Sequence, residues 1–318
     1  MSTTISIPLS SSVEDDALRS PARPTAFKNV IAAVDESEQA AWGIYAALPL
    51  VRKFGGKLSL FHASAFPDGW AAGIEPCPGD LCATDPESDV VLQEASHRVP
   101  KDLLGEKIRR EGDADQKIIE VVRTRNADLL VLGTHGRNLA ARLLLGSTAE
   151  SAVRHSPCPV LIAGHPVSDA FRDNGPTRIA IAIDDSEQAR WAASLGMRLA
   201  ESFNATAILI HVVPDVAEFP PTYGIAPQVT VQATVRSAGE AFLARFVLPE
   251  GEKVPIERVL SEGSSSREIV TAARENDADL IVIGTHGRRG LSRLILGSTA
   301  EAVLRHAHCP VLCVGQEQ

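Results

Sequence analysis

The stretch from Ala127 to Ala163 is written twice. It returns 151 residues later, from Ala278 to Val314, with 23 of 37 positions identical and no gap. An earlier segment is echoed as well: "IAAVDESEQAAWG" (Ile31 to Gly43) reappears as "IAIDDSEQARWAA" (Ile181 to Ala193). Solenoid repeats run to roughly 20–50 residues, so this period is far too long for one. It is the length of a domain. The 318-residue chain therefore reads as two copies of one fold, each long enough to bury its own core.

Both copies follow one pattern. A short apolar strand opens each, "NVIAAV" (Asn29 to Val34) or "RIAIAI" (Arg178 to Ile183), and a helix-length stretch follows. A second strand is "KLSLFHA" (Lys57 to Ala63) or "AILIHVV" (Ala207 to Val213). A second helix is expected over Glu87 to Leu104 or Val229 to Phe246. A third strand comes next, Glu106 to Glu111 or Pro255 to Leu260. A helix from about Asp115 or Ser266 leads to a fourth strand, "DLLVLG" (Asp128 to Gly133) or "DLIVIG" (Asp279 to Gly284). A last helix from Ser147 or Ser298 precedes the strand "PVLIA" or "PVLCV". Continuous apolar strands alternating with helices predict a parallel sheet covered on both faces. Right-handed crossovers make each copy a doubly wound α/β, Rossmann-like domain.

Four segments follow: a Ser/Thr/Pro-rich, acidic tail over 1–26, a domain over 27–165, a linker over 166–177 and a second domain over 178–315. The tail is expected to be disordered, and the linker to bury little. The tail has neither the basic start nor the apolar stretch of a signal peptide. No apolar run reaches membrane-spanning length. Five cysteines, an odd count without framework spacing, suggest reduced thiols. Together these set the expectation of a cytoplasmic protein without membrane contact. A net charge of -9 opposes sequence-independent nucleic-acid binding. It leaves room for a small anionic ligand at a local site.

The duplicated segment carries "GTHGRNLAARLLLGST" (Gly133 to Thr148) and "GTHGRRGLSRLILGST" (Gly284 to Thr299). In doubly wound sheets, ligands bind beyond the carboxyl ends of the strands where strand order reverses. Gly133 and Gly284 end strands at that edge, and Gly136 and Gly287 would allow a second close approach. Gly146-Ser147 and Gly297-Ser298 open the next helix, whose N-terminus offers unpaired N–H groups and a positive dipole end. The stretch can therefore cradle phosphate. It also fits a plain capping box, with Ser147 or Ser298 at the N-cap and Glu150 or Glu301 at N3. It contains no lysine and is not a G-x-x-x-x-G-K-[ST] loop, which argues against a fast P-loop ATPase. Nor does G-x-G-x-x-G follow the first strand, which weakens a dinucleotide reading.

Taken together, G-x2-G-x9-G-[ST] after "ADLLVLG", then "AESAVRHSPCPVLIA", resembles the universal stress protein family, and the second copy resembles it more closely. Asp35-x-Ser37 and Asp184-x-Ser186 match the family's opening. The resemblance implies strand order 3-2-1-4-5, the adenine-nucleotide α-hydrolase-like architecture and, in the family's nucleotide-binding branch, ATP with a divalent metal, Mg2+, held through the phosphates. It implies that Asp35 and Asp184 sit near the ribose, where a carboxylate can accept hydroxyl bonds. Ala63 and Val212 would offer backbone groups to adenine. Gly133, Gly136, Gly146, Ser147 and Thr148 would hold ribose and phosphates, as would Gly284, Gly287, Gly297, Ser298 and Thr299. For each Asp, a cap or loop role is the competing reading. The last strands, Pro159 to Ala163 and Pro310 to Val314, are expected to meet in an internal pseudo-dimer, and a further homodimer is implied as an option.

Copy two keeps "RRGLS" (Arg288 to Ser292), where copy one has "RNLAA" (Arg137 to Ala141), so copy two is the expected stronger binder. His135 and His286 are expected to pack the loop rather than act as bases, and Arg137, Arg288 and Arg289 are candidate phosphate contacts. Cys77 and Cys82 lie in a Pro/Gly-rich loop of copy one with no partner set for zinc. Cys158 and Cys309 read as buried core residues, and Trp42 and Trp191 as core anchors. The expectation is an ATP-binding regulatory or stress-response factor with unknown protein partners, at most a slow ATPase. The alternatives are a nucleotide-free interaction module and an adenylating enzyme, but neither "DESEQ" nor "DDSEQ" supplies the glycine-rich motif that adenylation needs.

Overall fold

A computed structural model describes residues 3–4, 26–64, 86–134, 145–216, 228–246, 253–285 and 296–315. The N-terminal tail lies outside the described residues except for the two-residue strand β1 (Thr3–Thr4) and residue 26. The first domain runs β2 (Asn29–Ala33), α1 (Glu38–Phe54), β3 (Lys57–Ser64), α2 (Pro86–His97), β4 (Leu104–Glu111), α3 (Ala114–Thr124), β5 (Leu129–Gly133), α4 (Ser147–His155) and β6 (Val160–Ala163). A short helix α5 (Asp169–Asn174) follows. The second domain repeats the order: β7 (Arg178–Ala182), α6 (Glu187–Phe203), β8 (Thr206–Val213), α7 (Gln228–Arg245), β9 (Ile256–Glu262), α8 (Ser265–Glu275), β10 (Leu280–Gly284), α9 (Ser298–His306) and β11 (Val311–Val314).

The strands line up as β4-β3-β2-β5-β6 in one half and β9-β8-β7-β10-β11 in the other. Within each half neighbours are parallel, giving order 3-2-1-4-5 twice. The halves join where β6 and β11 pair antiparallel, Leu161 opposite Leu312. One sheet of eleven strands results, with β1 added antiparallel to β9 at one edge, Thr3 opposite Leu260.

Successive strand residues point to opposite faces, and the two cores follow that alternation. Leu129 and Val131 of β5 join the layer under α1, α2, α5, α6 and α7. Leu130 and Leu132 join the layer under α3, α4, α8 and α9. Trp191 of α6 is buried, while its counterpart Trp42 of α1 is only partly so. No helix among the described residues is long and apolar enough to cross a membrane.

Two local expectations need correction. The second helix was expected to reach Leu104 but ends at His97, and β4 starts at Leu104. Pro100 disfavours helical geometry at the residue before it, and its carbonyl closes the turn by accepting from the Leu103 N–H at 2.9 Å. The linker was expected to bury little. Instead Ser168 caps α5, and Phe171 is 3% exposed in the core layer shared with α1. The Arg172 guanidinium lies 3.8 Å over the Tyr45 ring of α1. Gly175 turns the chain with φ +83°, and a Cβ there would meet the Phe203 ring of α6 at 2.2 Å. The connection is thus packed against both domains.

Candidate functional site

In each half, the strand order reverses between the first and fourth strands, β2 and β5 or β7 and β10. Their carboxyl ends form the crevice where such sheets take ligands. Asp35 leaves β2 there. Its Oδ1 accepts from the Ser37 N–H at 2.9 Å and from the Ser37 hydroxyl. Ser37 is the N-cap of α1, its Oγ accepting from the Ala40 N–H at 3.2 Å. Asp184, Ser186 and Ala189 repeat this arrangement at 2.9 and 3.2 Å. One oxygen of each carboxylate is therefore taken up by the turn that starts the helix. The other, Oδ2, makes no hydrogen bond among the described residues, and both aspartates are partly exposed.

The strand beside it contributes two histidines to which sequence reasoning assigned no role. His62 of β3 is buried, with Nδ1 2.7 Å from the carbonyl of Val34. His211 of β8 is buried, with Nδ1 2.9 Å from the carbonyl of Ile183. A carbonyl only accepts, so each Nδ1 carries the proton. Each imidazole pins the backbone immediately before the site aspartate. The available signal was a polar residue inside an otherwise apolar strand, at the same place in both copies. Ala63 and Val212 follow the histidines, partly buried at the rim of the α3 and α8 core layer.

Gly133 and Gly284 sit at the expected edge, yet a protein group occupies the space a side chain would need. A Cβ on Gly133 would lie 2.7 Å from the Gln39 carbonyl carbon and from its Cβ. One on Gly284 would lie 2.9 Å from the Gln188 Cβ. Neither glycine has positive φ. Their small size is required by the first turn of α1 and α6, which brings the Asp35 and Asp184 turns against the ends of β5 and β10. The close approach of α1 and α6 gives these glycines a packing role beside the ligand approach expected of them, and no positive φ is needed for a turn.

The capping-box expectation also fails. The N-cap of α4 is Gly146, and that of α9 is Gly297, each without a side-chain cap bond. Ser147 and Ser298 are the first helical residues instead. The Gly146 N–H donates to the Thr134 carbonyl at 2.9 Å, and the Gly297 N–H to the Thr285 carbonyl at 2.8 Å. These bonds draw the helix starts back to the strand ends and set their register one residue early. Glu150 and Glu301 pair along their own helices with Arg154 and Arg305. The N-cap residues of α4 and α9 thus supply no side chain to their first N–H groups. Asp35, Gly133, Gly146, Ser147 and Thr148 converge on one edge, as do Asp184, Gly284, Gly297, Ser298 and Thr299. Gly136, Gly287, His135, His286, Arg137, Arg288, Arg289, Cys77 and Cys82 lie outside the described residues.

The sequence profile of the universal stress protein family matches residues 26–164 and 176–315. The chain belongs to the universal stress protein family. It carries two of the family's domains in tandem. A universal stress protein of Mycobacterium tuberculosis is 31% identical over 192 residues, 60% of this chain and 62% of that protein's length. One from Mycolicibacterium smegmatis is 28% identical over 256 residues, 77% of this chain and 82% of the relative. The crystal structure of a universal stress protein from Archaeoglobus fulgidus superposes with a TM-score of 0.64 at 21% identity, covering 92% of this chain and 99% of that one. At that identity the likeness concerns the fold.

The remaining chemistry of the molecule is quiet. Burial pushes the Cys158 thiol up to about 11, the Cys313 thiol up to about 12 and the Cys309 thiol higher than its ordinary range. Among the described residues no group of three His, Cys, Asp or Glu side chains could hold a metal ion. A cavity of about 480 Å³ opens between α2 and β4, lined by Asp89, Val90, Gln93, Lys107 and Arg109. It borders the outer edge strand, away from the crevice between β2 and β5.

Proposed function

We propose that each domain of this universal stress protein binds an adenine nucleotide, ATP with Mg2+, at the carboxyl edge of its sheet. The chain then acts as a nucleotide-dependent regulatory factor in the stress response, through protein partners. The observation that carries the reading is the pair of helix starts whose N-cap is a glycine. α4 and α9 each begin beside a strand end, and their N-cap residues, Gly146 and Gly297, bring no side chain to satisfy the first N–H groups. Such groups, with the positive end of the helix dipole, suit phosphate. Across the crevice, Oδ2 of Asp35 or Asp184 is the acceptor left for a ribose hydroxyl. The backbone after Ala63 or Val212 would meet the base. Mg2+ would be held through the phosphates.

The same geometry speaks for binding rather than fast turnover. Among the described residues, the buried imidazoles beside the crevice, His62 and His211, already direct Nδ1 at a backbone carbonyl. Asp35 and Asp184 are tied to their turns. We therefore expect hydrolysis to be slow. The decisive experiment is to purify the protein without added nucleotide, denature it, and identify what is released by chromatography and mass spectrometry. It is paired with a melting-temperature titration using ATP and Mg2+, because a ligand of the folded state raises stability by mass action. Released ATP, or a saturable upward shift, supports the reading. An empty protein with no shift overturns it and favours a nucleotide-free interaction module.

A further inference from the structure

The two domains share a fold, but α7 does a job in domain 2 that α2 does not do in domain 1. In domain 2 the chain leaves β8 at Val213 and continues through Pro214 and Asp215 to Val216. The Val216 N–H donates to Oε1 of Gln232 at 2.7 Å. The Gln232 Nε2 donates in turn to Glu262 Oε2 at 2.9 Å, at the end of β9. Arg236, one helical turn on from Gln232, donates to Glu262 Oε1 at 2.5 Å and to Glu240 Oε1 at 3.2 Å. Phe242, also on α7, stacks on the His211 ring with centroids 4.4 Å apart. The backbone completes the clasp, since the Gly263 N–H donates to the Val213 carbonyl at 2.9 Å.

Among the described residues, domain 1 shows the backbone part alone: the Gly112 N–H donates to the Ser64 carbonyl at 3.0 Å. There, α2 spends its polar residues on the outer strand, with Lys107 donating to Gln93 at 2.8 Å and Arg109 lying 3.7 Å from Asp89. Glu111, the counterpart of Glu262, makes no side-chain bond among the described residues. Where domain 2 has the apolar Val213, domain 1 has Ser64, whose buried hydroxyl has no hydrogen-bond partner among the described residues.

We propose that Gln232, Glu262 and Arg236 are positioning residues that hold the segment leaving β8 in place for the nucleotide of domain 2. The proposal rests on the nucleotide-binding reading above. Val212, the residue expected to face the base, is the last but one residue of β8, directly before the Val213 and Val216 anchors of the clasp. A segment ordered before the ligand arrives loses less conformational freedom on binding, so affinity rises without any new contact to the ligand.

The test separates the sites by disabling one at a time. Asp35→Ala leaves domain 2 to report, and Asp184→Ala leaves domain 1. Mg-ATP is titrated calorimetrically into each, with and without Gln232→Ala or Glu262→Ala. Amide exchange over residues 213–216 is followed in parallel. We expect Gln232→Ala and Glu262→Ala to weaken binding at least tenfold in the Asp35→Ala background and to leave the Asp184→Ala background unchanged. Exchange at Val216 should speed up at least tenfold. Glu262→Gln keeps an acceptor for Gln232 and should recover much of the loss, which a role in global stability would not produce. If the wild type binds no ATP, the nucleotide reading and this proposal fall together. If ATP binds to the Asp35→Ala protein and neither substitution changes its affinity, this proposal alone falls.

Discussion

Replacing Gly133 with alanine tests what that glycine is for. A Cβ built there stands 2.7 Å from the carbonyl carbon and Cβ of Gln39 and 3.0 Å from the Gln39 oxygen. Carbon atoms settle at about 3.5–4.0 Å, so helix and strand must separate by close to an ångström. No rotamer relieves the contact, because backbone lies on both sides. The helix cannot retreat easily either. Ser37 caps it, and further along α1 Gly43 packs a second glycine against Leu132, where a Cβ would meet backbone at 3.3 Å. Overpacking of this kind costs about 1–3 kcal/mol. At roughly 2–4 °C per kcal/mol for domains of this size, the melting temperature should fall by about 3–10 °C. Gly284→Ala faces slightly longer contacts, 2.9–3.2 Å to Gln188, and should lose less. Gly315→Ala is the control, since its Cβ would meet only the Thr285 Oγ1 at 3.7 Å. Thermal unfolding by circular dichroism, without nucleotide, ranks the three. If Gly133→Ala melts with the wild type but no longer responds to ATP, the glycine serves the ligand and the packing argument is wrong.

Three further outcomes follow from the same structure. Phe171→Ala removes a ring that is 3% exposed from the layer joining the linker to α1; urea unfolding should show a loss of about 2–4 kcal/mol, and a loss below about 1 kcal/mol would mean the connection is not docked in solution. Burial raises the Asp128 carboxyl, although its Oδ2 accepts from the Lys28 and Asn29 N–H groups at 2.8 and 3.0 Å. A carboxyl raised on folding stabilises the protonated form, so its contribution is present at acid pH and fades as pH rises through the folded value. The melting-temperature difference between Asp128→Asn and wild type should therefore shift in favour of the variant between about pH 3 and 6, and a difference flat across that range would refute the assignment. Cys158, Cys309 and Cys313 are buried with raised thiols, and the thiolate is the reactive form; iodoacetamide at pH 8 should spare all three in the native protein and label them in urea, as peptide mapping would read.

The duplication, the alternation of strands and helices, and the arrival of Asp35, Gly133 and Ser147 at strand or helix ends were legible in the chain alone. Each depends on spacing within a few residues or on identity between two copies, and both are written along the chain. The resemblance to a family added strand order, which no local pattern contains. What the chain could not disclose depends on residues far apart. Gly133 is small because Gln39, 94 positions earlier, lies against it. Ser147 falls inside its helix because Gly146 bonds back to Thr134 across the loop between them. His62 earns its place through the carbonyl of Val34. The linker packs because Phe171 finds a core layer built by another segment. The clasp of Gln232, Arg236 and Glu262 joins residues 26 to 30 positions apart that only the fold brings within hydrogen-bond reach. Periodicity determines which face of an element is buried; which backbone or side chain it is buried against is set by close packing between distant segments, and only the tertiary structure decides that.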